Sequence, residues 1–255
     1  MIKTSKLILV LTVIIFIHFF CKSSPENITT KHYKGFSIKA HFIDSEKIDG
    51  LAKYFDIDGN LIAIINYKNG IKTGPAVNFF LNGFKKDSMT YDSGQEQGFI
   101  FHYDSSGRLG SKVNYYKGSK VGPGIIYSFG KLKQYYFNDF DSNTVFISNY
   151  DSLGRSVVGM INLDPKSMVF DEDNGESTMQ LRLYLPNPPN IISIYHLGLA
   201  NENNSEKKEI LINNDRFYLD TILNPPPKGY HYYVSTHFQN SDSTINKLII
   251  YKIVW

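Results

Sequence analysis

A single cysteine in 255 residues excludes an intramolecular disulfide and any cysteine-built zinc site. Alanine and long helix-forming runs are scarce, whereas Tyr and Phe number 18 each, a composition that suits strands. An excess of one charge is missing as well. The net charge is +3, but Lys3 and Lys6 lie in the leader, and from Cys21 onward the chain carries 25 basic and 24 acidic residues. That balance leaves no cationic field to hold nucleic acid. The chain has no Gly-x-Ser-x-Gly elbow, phosphate loop or His-Glu-x-x-His helix, and no motif calls for a cofactor or a metal. Asp171-Glu-Asp173-Asn-Gly175-Glu176 has the flavour of a calcium loop. Its glycine is one place early and the terminal glutamate is missing, so an acidic turn is the plainer reading. His231 and His237 share a strand face but stand about 20 Å apart at strand rise, too far to chelate one ion. His102 and His196 fall in strands with no acid or cysteine partner visible in the sequence.

The first 20 residues read as an export signal. Lys3 and Lys6 form a positive start, and Leu7–Phe20 is an apolar run of 14 broken by Thr12 and His18. A membrane span needs about 20 residues, so this length fits the apolar region of a signal peptide better. The run ends on Cys21, and the placement resembles a bacterial lipoprotein signal, in which the cysteine becomes the lipidated N-terminus. His18-Phe19-Phe20 depart from the small residues usual there, which keeps an uncleaved anchor or an ordinary signal peptide open as alternatives. Residues 21–34, with Pro25 and no periodicity, are expected to form a tether.

The stretch from Tyr54 to Gly154 repeats itself. Gly59, Gly83, Gly107, Gly130 and Gly154 are spaced 24, 24, 23 and 24 residues apart. Gly70, Gly94 and Gly118 keep the 24-residue interval, as do Gly74, Gly98 and Gly122. Tyr67, Tyr91 and Tyr115 hold a fixed phase, and so do Phe55, Phe79, Tyr103 and Tyr127. A period of this size marks a repeat architecture. Gly35 and Gly50 fall 24 residues ahead of Gly59 and Gly74 and point to a degenerate first repeat. Two strands and two turns fit 24 residues, so each unit is read as one hairpin, its Asn-Gly, Asp-Gly and Ser-Gly pairs supplying positive φ. Val77 and Phe79 then align with Phe101 and Tyr103 and with Ile125 and Tyr127. Ile65 and Tyr67 align with Met89 and Tyr91 and with Val113 and Tyr115. Stacked hairpins make ladders of these side chains. Tyr67, Tyr91, Tyr115, Tyr103 and Tyr127 form the expected aromatic binding face, because tyrosine rings stack on sugars or on a partner. The plainer reading of each is cement for the fold. Asp104, Arg108, Asp151 and Arg155 recur in Asp-Ser-x-Gly-Arg turns, where Asp and Ser brace the turn backbone.

Tyr67-Lys-Asn-Gly70-Ile-Lys-Thr-Gly74, Tyr91-Asp-Ser-Gly94-Gln-Glu-Gln-Gly98 and Tyr116-Lys-Gly118-Ser-Lys-Val-Gly122 carry a pattern that resembles the MORN repeat in its bacterial variant. The resemblance covers roughly residues 43–158, and a fifth unit has decayed, with Ser142 and Phe146 where glycines are expected. It implies a sheet of tandem hairpins. Bacterial members look like envelope proteins, some labelled as antitoxin components of toxin–antitoxin pairs. The glycine loops here carry both Lys72 and Glu96 and no basic cluster, which argues against lipid binding by those loops.

The comb stops after Leu163-Asp-Pro165, and six or seven alternating segments follow, bounded by turn residues such as Pro225-Pro226-Pro227. They suit a β-sandwich of immunoglobulin or fibronectin type III type. The expectation is therefore all-β: a signal peptide at 1–20, a tether at 21–34, a hairpin-repeat domain at 35–162 and a sandwich at 163–255. Export and lipidation at Cys21 would put the protein in the cell envelope, anchored at the outer membrane, as a non-catalytic scaffold for a protein or glycan. The alternatives are an intracellular antitoxin-like partner of a toxin and a glycan-binding accessory protein.

Overall fold

The structure, a computed structural model, describes residues 27–161, 169–171, 178–203, 207–212, 218–240 and 246–253. Cys21, the rest of the leader, the 162/163 boundary and the acidic segment 172–177 lie outside them. Every regular element among the described residues is a strand. In chain order the array comprises β1 (Ile28–Tyr33), β2 (Phe36–His41), β3 (Gly50–Asp56), β4 (Leu61–Lys68), β5 (Ile71–Phe79), β6 (Lys85–Asp92), β7 (Gln95–Glu96), β8 (Gly98–Tyr103), β9 (Leu109–Tyr116), β10 (Ser119–Ser128), β11 (Lys131–Asn138), β12 (Thr144–Tyr150) and β13 (Ser156–Ile161). They form one 13-stranded antiparallel sheet in hairpin order, with the short β7 paired to β6 alone. Ile28–Tyr33, expected in the tether, instead pairs residue for residue with Phe36–His41. Gly35, at φ 91°, turns the chain between them.

The period conceals two kinds of turn. Along one long edge Asn69-Gly70, Ser93-Gly94 and Lys117-Gly118 have positive φ at both residues, the requirement of two-residue type I′ turns. Along the other edge the turns after Asp56, Phe80, Asp104 and Asp151 are three-residue loops. Each is closed by a bond from the N–H of Gly59, Gly83, Gly107 or Gly154 back to the first carbonyl. Asn82 and Ser106 have ordinary φ, so only the glycine of those pairs takes the left-handed form, as in a type I turn with a glycine bulge. Phe129-Gly130 is a two-residue turn where a three-residue loop is due, and the missing residue is the 23 in the comb. The next turn compensates: Asp139–Asn143 is a three-residue loop with Ser142 at φ 64° in the glycine position. The eleven comb glycines all lie between φ 64° and 86°. Tips of the two-residue turns are tied to the unit before: Gly70 N–H donates to Ile48 O at 2.7 Å, Gly94 to Lys72 O at 2.9 Å and Gly118 to Glu96 O at 3.0 Å.

In the three-residue loops the aspartate is the brace. Oδ1 of Asp56, Asp104, Asp139 and Asp151 each accepts two backbone N–H groups, at 2.8–3.0 Å. Nε of Arg108 and of Arg155 reaches the second oxygen of Asp104 and Asp151 at 3.0 and 2.7 Å. The Ser106 hydroxyl, donating to Asp104 Oδ1 at 2.6 Å, and then the Arg108 N–H hold the Asp104 carboxyl well below its ordinary value of 3.8, and the equivalent donors lower Asp56 and Asp151 as well. A carboxyl depressed in the fold contributes stability above its unfolded value and loses it as pH falls through the folded value. The urea midpoint should therefore decline on acidification below about pH 4. In the Asp104→Asn/Asp151→Asn variant that decline should be visibly shallower. An unchanged pH profile in the variant would show that these turns do not sense acid.

The C-terminal strands are β14 (Val169–Asp171), β15 (Thr178–Tyr184), β16 (Ile191–Asn201), β17 (Lys207–Ile212), β18 (Tyr218–Leu223), β19 (Tyr230–Asn240) and β20 (Asn246–Ile253). They make a three-stranded sheet, β14-β15-β18, and a four-stranded sheet, β17-β16-β19-β20. Lettered in chain order A, B, C, C′, E, F and G, the two sheets are A-B-E and C′-C-F-G, the immunoglobulin-type order; residues 213–217, between C′ and E, lie outside the described ones. Met179, Leu181 and Leu223 of one sheet and Ile191, Tyr195, Val234 and Phe238 of the other belong to one buried cluster. Ile125, Tyr135, Phe137, Phe146 and Tyr150 of the array belong to the same cluster. The array and the sandwich thus share a core. Phe146 is fully buried with its ring 5.2 Å from that of Phe238, and Phe137 packs edge-on against Tyr184. Tyrosine hydroxyls clamp the segment joining β15 to β16. Tyr150 donates to Pro189 O at 2.7 Å, Tyr195 donates to Pro186 O, and Tyr135 accepts the Asn187 N–H at 3.0 Å. Burial pushes the Tyr150 hydroxyl up to about 12.

Candidate binding surfaces of the array

Register and strand alternation sort the ladder residues onto two faces. On the first, the row Ala52–Ile65–Ala76–Met89 continues through Ile100–Val113 to Gly124–Tyr136. A single sheet has no second layer to cover such a row, yet Ala76, Met89, Ile100 and Val113 are all buried. The cover is the neighbouring row of tyrosines. Tyr67, Tyr91 and Tyr115 stand opposite Gly50, Gly74 and Gly98, and pack against Ala52 and Ile48 or against Met89 and Ile100. Their hydroxyls are committed or shielded: Tyr67 to Tyr54 at 2.7 Å, and Tyr91 to Met89 Sδ at 3.3 Å. Burial raises the Tyr54, Tyr91 and Tyr115 hydroxyls above their ordinary range. These three ladder tyrosines build the core of the face they occupy.

Tyr103 and Tyr127 lie on the opposite face, so the five tyrosines do not form one surface. That face carries the row Ile64–Val77–Ser88–Phe101–Lys112–Ile125–Tyr135. From β10 onward it is covered by the sandwich, with Ile125 and Tyr135 in the shared core and Tyr127 packed against it. From β4 to β9 no described residue covers it. Ile64, Val77, Phe79, Phe99, Phe101 and Tyr103 are half-buried there, the rings of Phe99 and Phe101 lie 6.3 Å apart, and Lys112 Nζ sits 5.2 Å from the Phe99 centroid. Sequence reasoning placed Phe101 in the same ladder as Tyr103 but kept it out of the expected binding face, and it passed over Phe99, whose strand phase was the available signal.

His102 does have an acid partner. Asp87 lies directly across from it, with Nδ1 and Oδ1 2.7 Å apart, and the second carboxylate oxygen accepts Asn78 Nδ2 at 3.2 Å. Ser111 pairs with His102 from the other side. Both oxygens of Asp87 are committed, and the carboxylate orients the imidazole as in cross-strand ion pairs elsewhere. The partner escaped the sequence reading because the two residues are 15 apart and meet only through register. His196 lies on β16 and His231 and His237 on β19. His237 Nε2 is 2.6 Å from Asn246 Oδ1, and burial lowers the His231 imidazole. Among the described residues no three His, Cys, Asp or Glu side chains are grouped to hold a metal. An open cleft of about 250 Å³ lies between two successive tips, lined by Lys68, Asn69, Ile71, Thr73, Asp92 and Ser93.

Fold and surfaces together define an all-β hairpin-repeat protein whose array is followed by a sandwich of seven strands among the described residues. Compared with known proteins, the chain matches no family model and no curated protein sequence.

Proposed function

We propose that this is an exported, lipid-anchored protein of the bacterial cell envelope, whose MORN-like array presents a non-catalytic binding surface to a protein or glycan. The export and anchoring rest on the leader and Cys21. The binding rests on one observation, the largely apolar face over β4–β9, which continues from the buried junction with the sandwich past Lys112 and Ser88 and is left half open. Aromatic rings interleaved with Ser88, Lys112 and Asn114 offer both stacking and hydrogen bonding on that face.

The test is co-sedimentation of the detergent-solubilised chain with isolated sacculi and with outer-membrane fractions, comparing wild type with Phe101→Asp. Wild type should be retained by one of them, and the variant should lose about tenfold in apparent affinity. Equal retention of both, or of neither, overturns the assignment of this face. Radiolabelled palmitate incorporation, with Cys21→Ser as control, tests the anchor separately. Label on wild type alone is the expected result. An unlabelled, cytoplasmic protein would remove the envelope reading and favour the intracellular antitoxin-like alternative.

A further inference from the structure

The four-stranded sheet of the sandwich buries one face in the shared core and leaves the other open. On the open face Ile192, Leu211, Leu248 and Ile250 are 59%, 65%, 61% and 54% exposed. Register sets Leu211, His196, Ser235 and Ile250 in one cross-strand row. The adjoining row is Glu209, Gly198, Tyr233 and Lys252, with the acid on edge strand β17 and the base on edge strand β20. The exposed aliphatic groups Leu211, Leu248 and Ile250 stand on the two edge strands and Ile192 on β16, flanking a middle of His196 and the buried Ser235 and Tyr233, while Glu209 and Lys252 extend the same two edges.

We infer that this face binds a second copy of the same chain. The argument is the order of groups within each row. A two-fold axis lying in the interface, parallel to the strands and between β16 and β19, exchanges left and right while keeping each row in place. It sets Leu211 against the partner's Ile250, and Glu209 against the partner's Lys252. Each pair then occurs twice. The acid and base stand at opposite ends of one row, so that row is complementary to itself in charge, with Lys207 beside Glu209 on the same face of β17 and its Nζ 5.6 Å from the Tyr233 ring centroid. Tyr233 lies flat across Gly198, where a Cβ would meet the ring at 2.4 Å, and its hydroxyl donates to Glu209 Oε1 at 2.5 Å. That bond positions the carboxylate in the rim. Four strands about 4.8 Å apart and a run of seven residues give a footprint of about 19 by 20 Å. That is about 400 Å² per copy and about 800 Å² in all, below the roughly 1,200 Å² at which standard specific interfaces begin and in the range of transient contacts. A weak dimer follows.

Sedimentation equilibrium of the full chain in a neutral detergent, from about 1 to about 200 µM, tests this. The expected wild-type behaviour is a reversible monomer–dimer equilibrium with Kd on the order of 50 µM. Glu209→Lys and Lys252→Glu should each weaken it about tenfold, and the double reversal should recover to within about threefold of wild type. Leu211→Asp, at an exposed edge-strand position that should not disturb the fold, should be monomeric throughout. A wild type that stays monomeric over the whole range overturns the inference. So does a dimer indifferent to all four variants, because the leader or another surface would then hold it.

Discussion

Gly124→Ala should destabilise the protein by about 3 kcal/mol, at the upper end of what an inserted methyl group usually costs in a packed site. A Cβ at Gly124 would lie 2.1, 2.5 and 2.6 Å from Cζ, Cε2 and Cε1 of Tyr136, which stands directly across the β10–β11 pair. Gly124 has no positive φ, so the effect is steric and owes nothing to backbone strain. Tyr136 cannot easily yield, because its neighbours Tyr135 and Phe137, pointing the other way, are buried in the shared core. Urea titration gives the loss, and the double variant Gly124→Ala/Tyr136→Leu should regain at least half of it, since removing the ring removes the obstacle. A loss below about 1 kcal/mol, or no recovery in the double variant, would mean that the ring moves aside freely.

The reason for Gly124 was hidden in the sequence because it stands outside the 24-residue comb. Its equivalents in earlier units are Ala76 and Ile100, and their cross-strand partners are Met89 and Val113. Where the partner grows to tyrosine, the residue opposite shrinks to glycine, so the pair keeps roughly one volume. Such compensation is a relation between strands, and a comb built on single positions does not reveal it. The comb did reveal what local chemistry dictates: the strands, the hairpin order and the positions where φ must be positive. The two turn types were less legible, because Asn-Gly at 69–70 and at 82–83 look alike, yet only the first pair has both residues at positive φ. Asp56 and Asp104 mark the longer loops through the N–H groups they accept.

The decay of the fifth unit was visible, its purpose was not. Phe146 stands where the comb places a glycine, and Ser142 where it places another. Ser142 keeps the left-handed turn, whereas Phe146 leaves the array's own pattern to enter the core shared with the sandwich. Nothing local in residues 139–155 announces this, because the partners are 39 to 92 residues further along: Pro189 for Tyr150 and Phe238 for Phe146. The same distance explains why the covered and open halves of the outer face could not be told apart. Phe101 and Tyr135 have the same strand phase, and only the position of the sandwich makes one a half-exposed ring and the other a buried one.

A shared core also fixes how the molecule should unfold. Phe146→Ala removes a fully buried ring packed against Tyr135 at 5.9 Å and Phe238 at 5.2 Å, and should cost about 4 kcal/mol. Phe238→Ala, from the sandwich side, should cost a similar amount. The two losses should not add, because each ring lines the cavity left by the other, and the double variant should fall short of the sum by about 1 kcal/mol. Both single variants should lower the stability of the array and the sandwich together. One urea transition is therefore expected, identical by far-ultraviolet circular dichroism and by tyrosine fluorescence. Two separate transitions in wild type, or a Phe146→Ala variant that melts only the array strands, would show that the junction is a contact between independently stable units. A single transition displaced as a whole would establish the opposite: the repeats from β10 to β12 are stable because the sandwich buries their outer face, and the sandwich is stable because Phe146 fills its end.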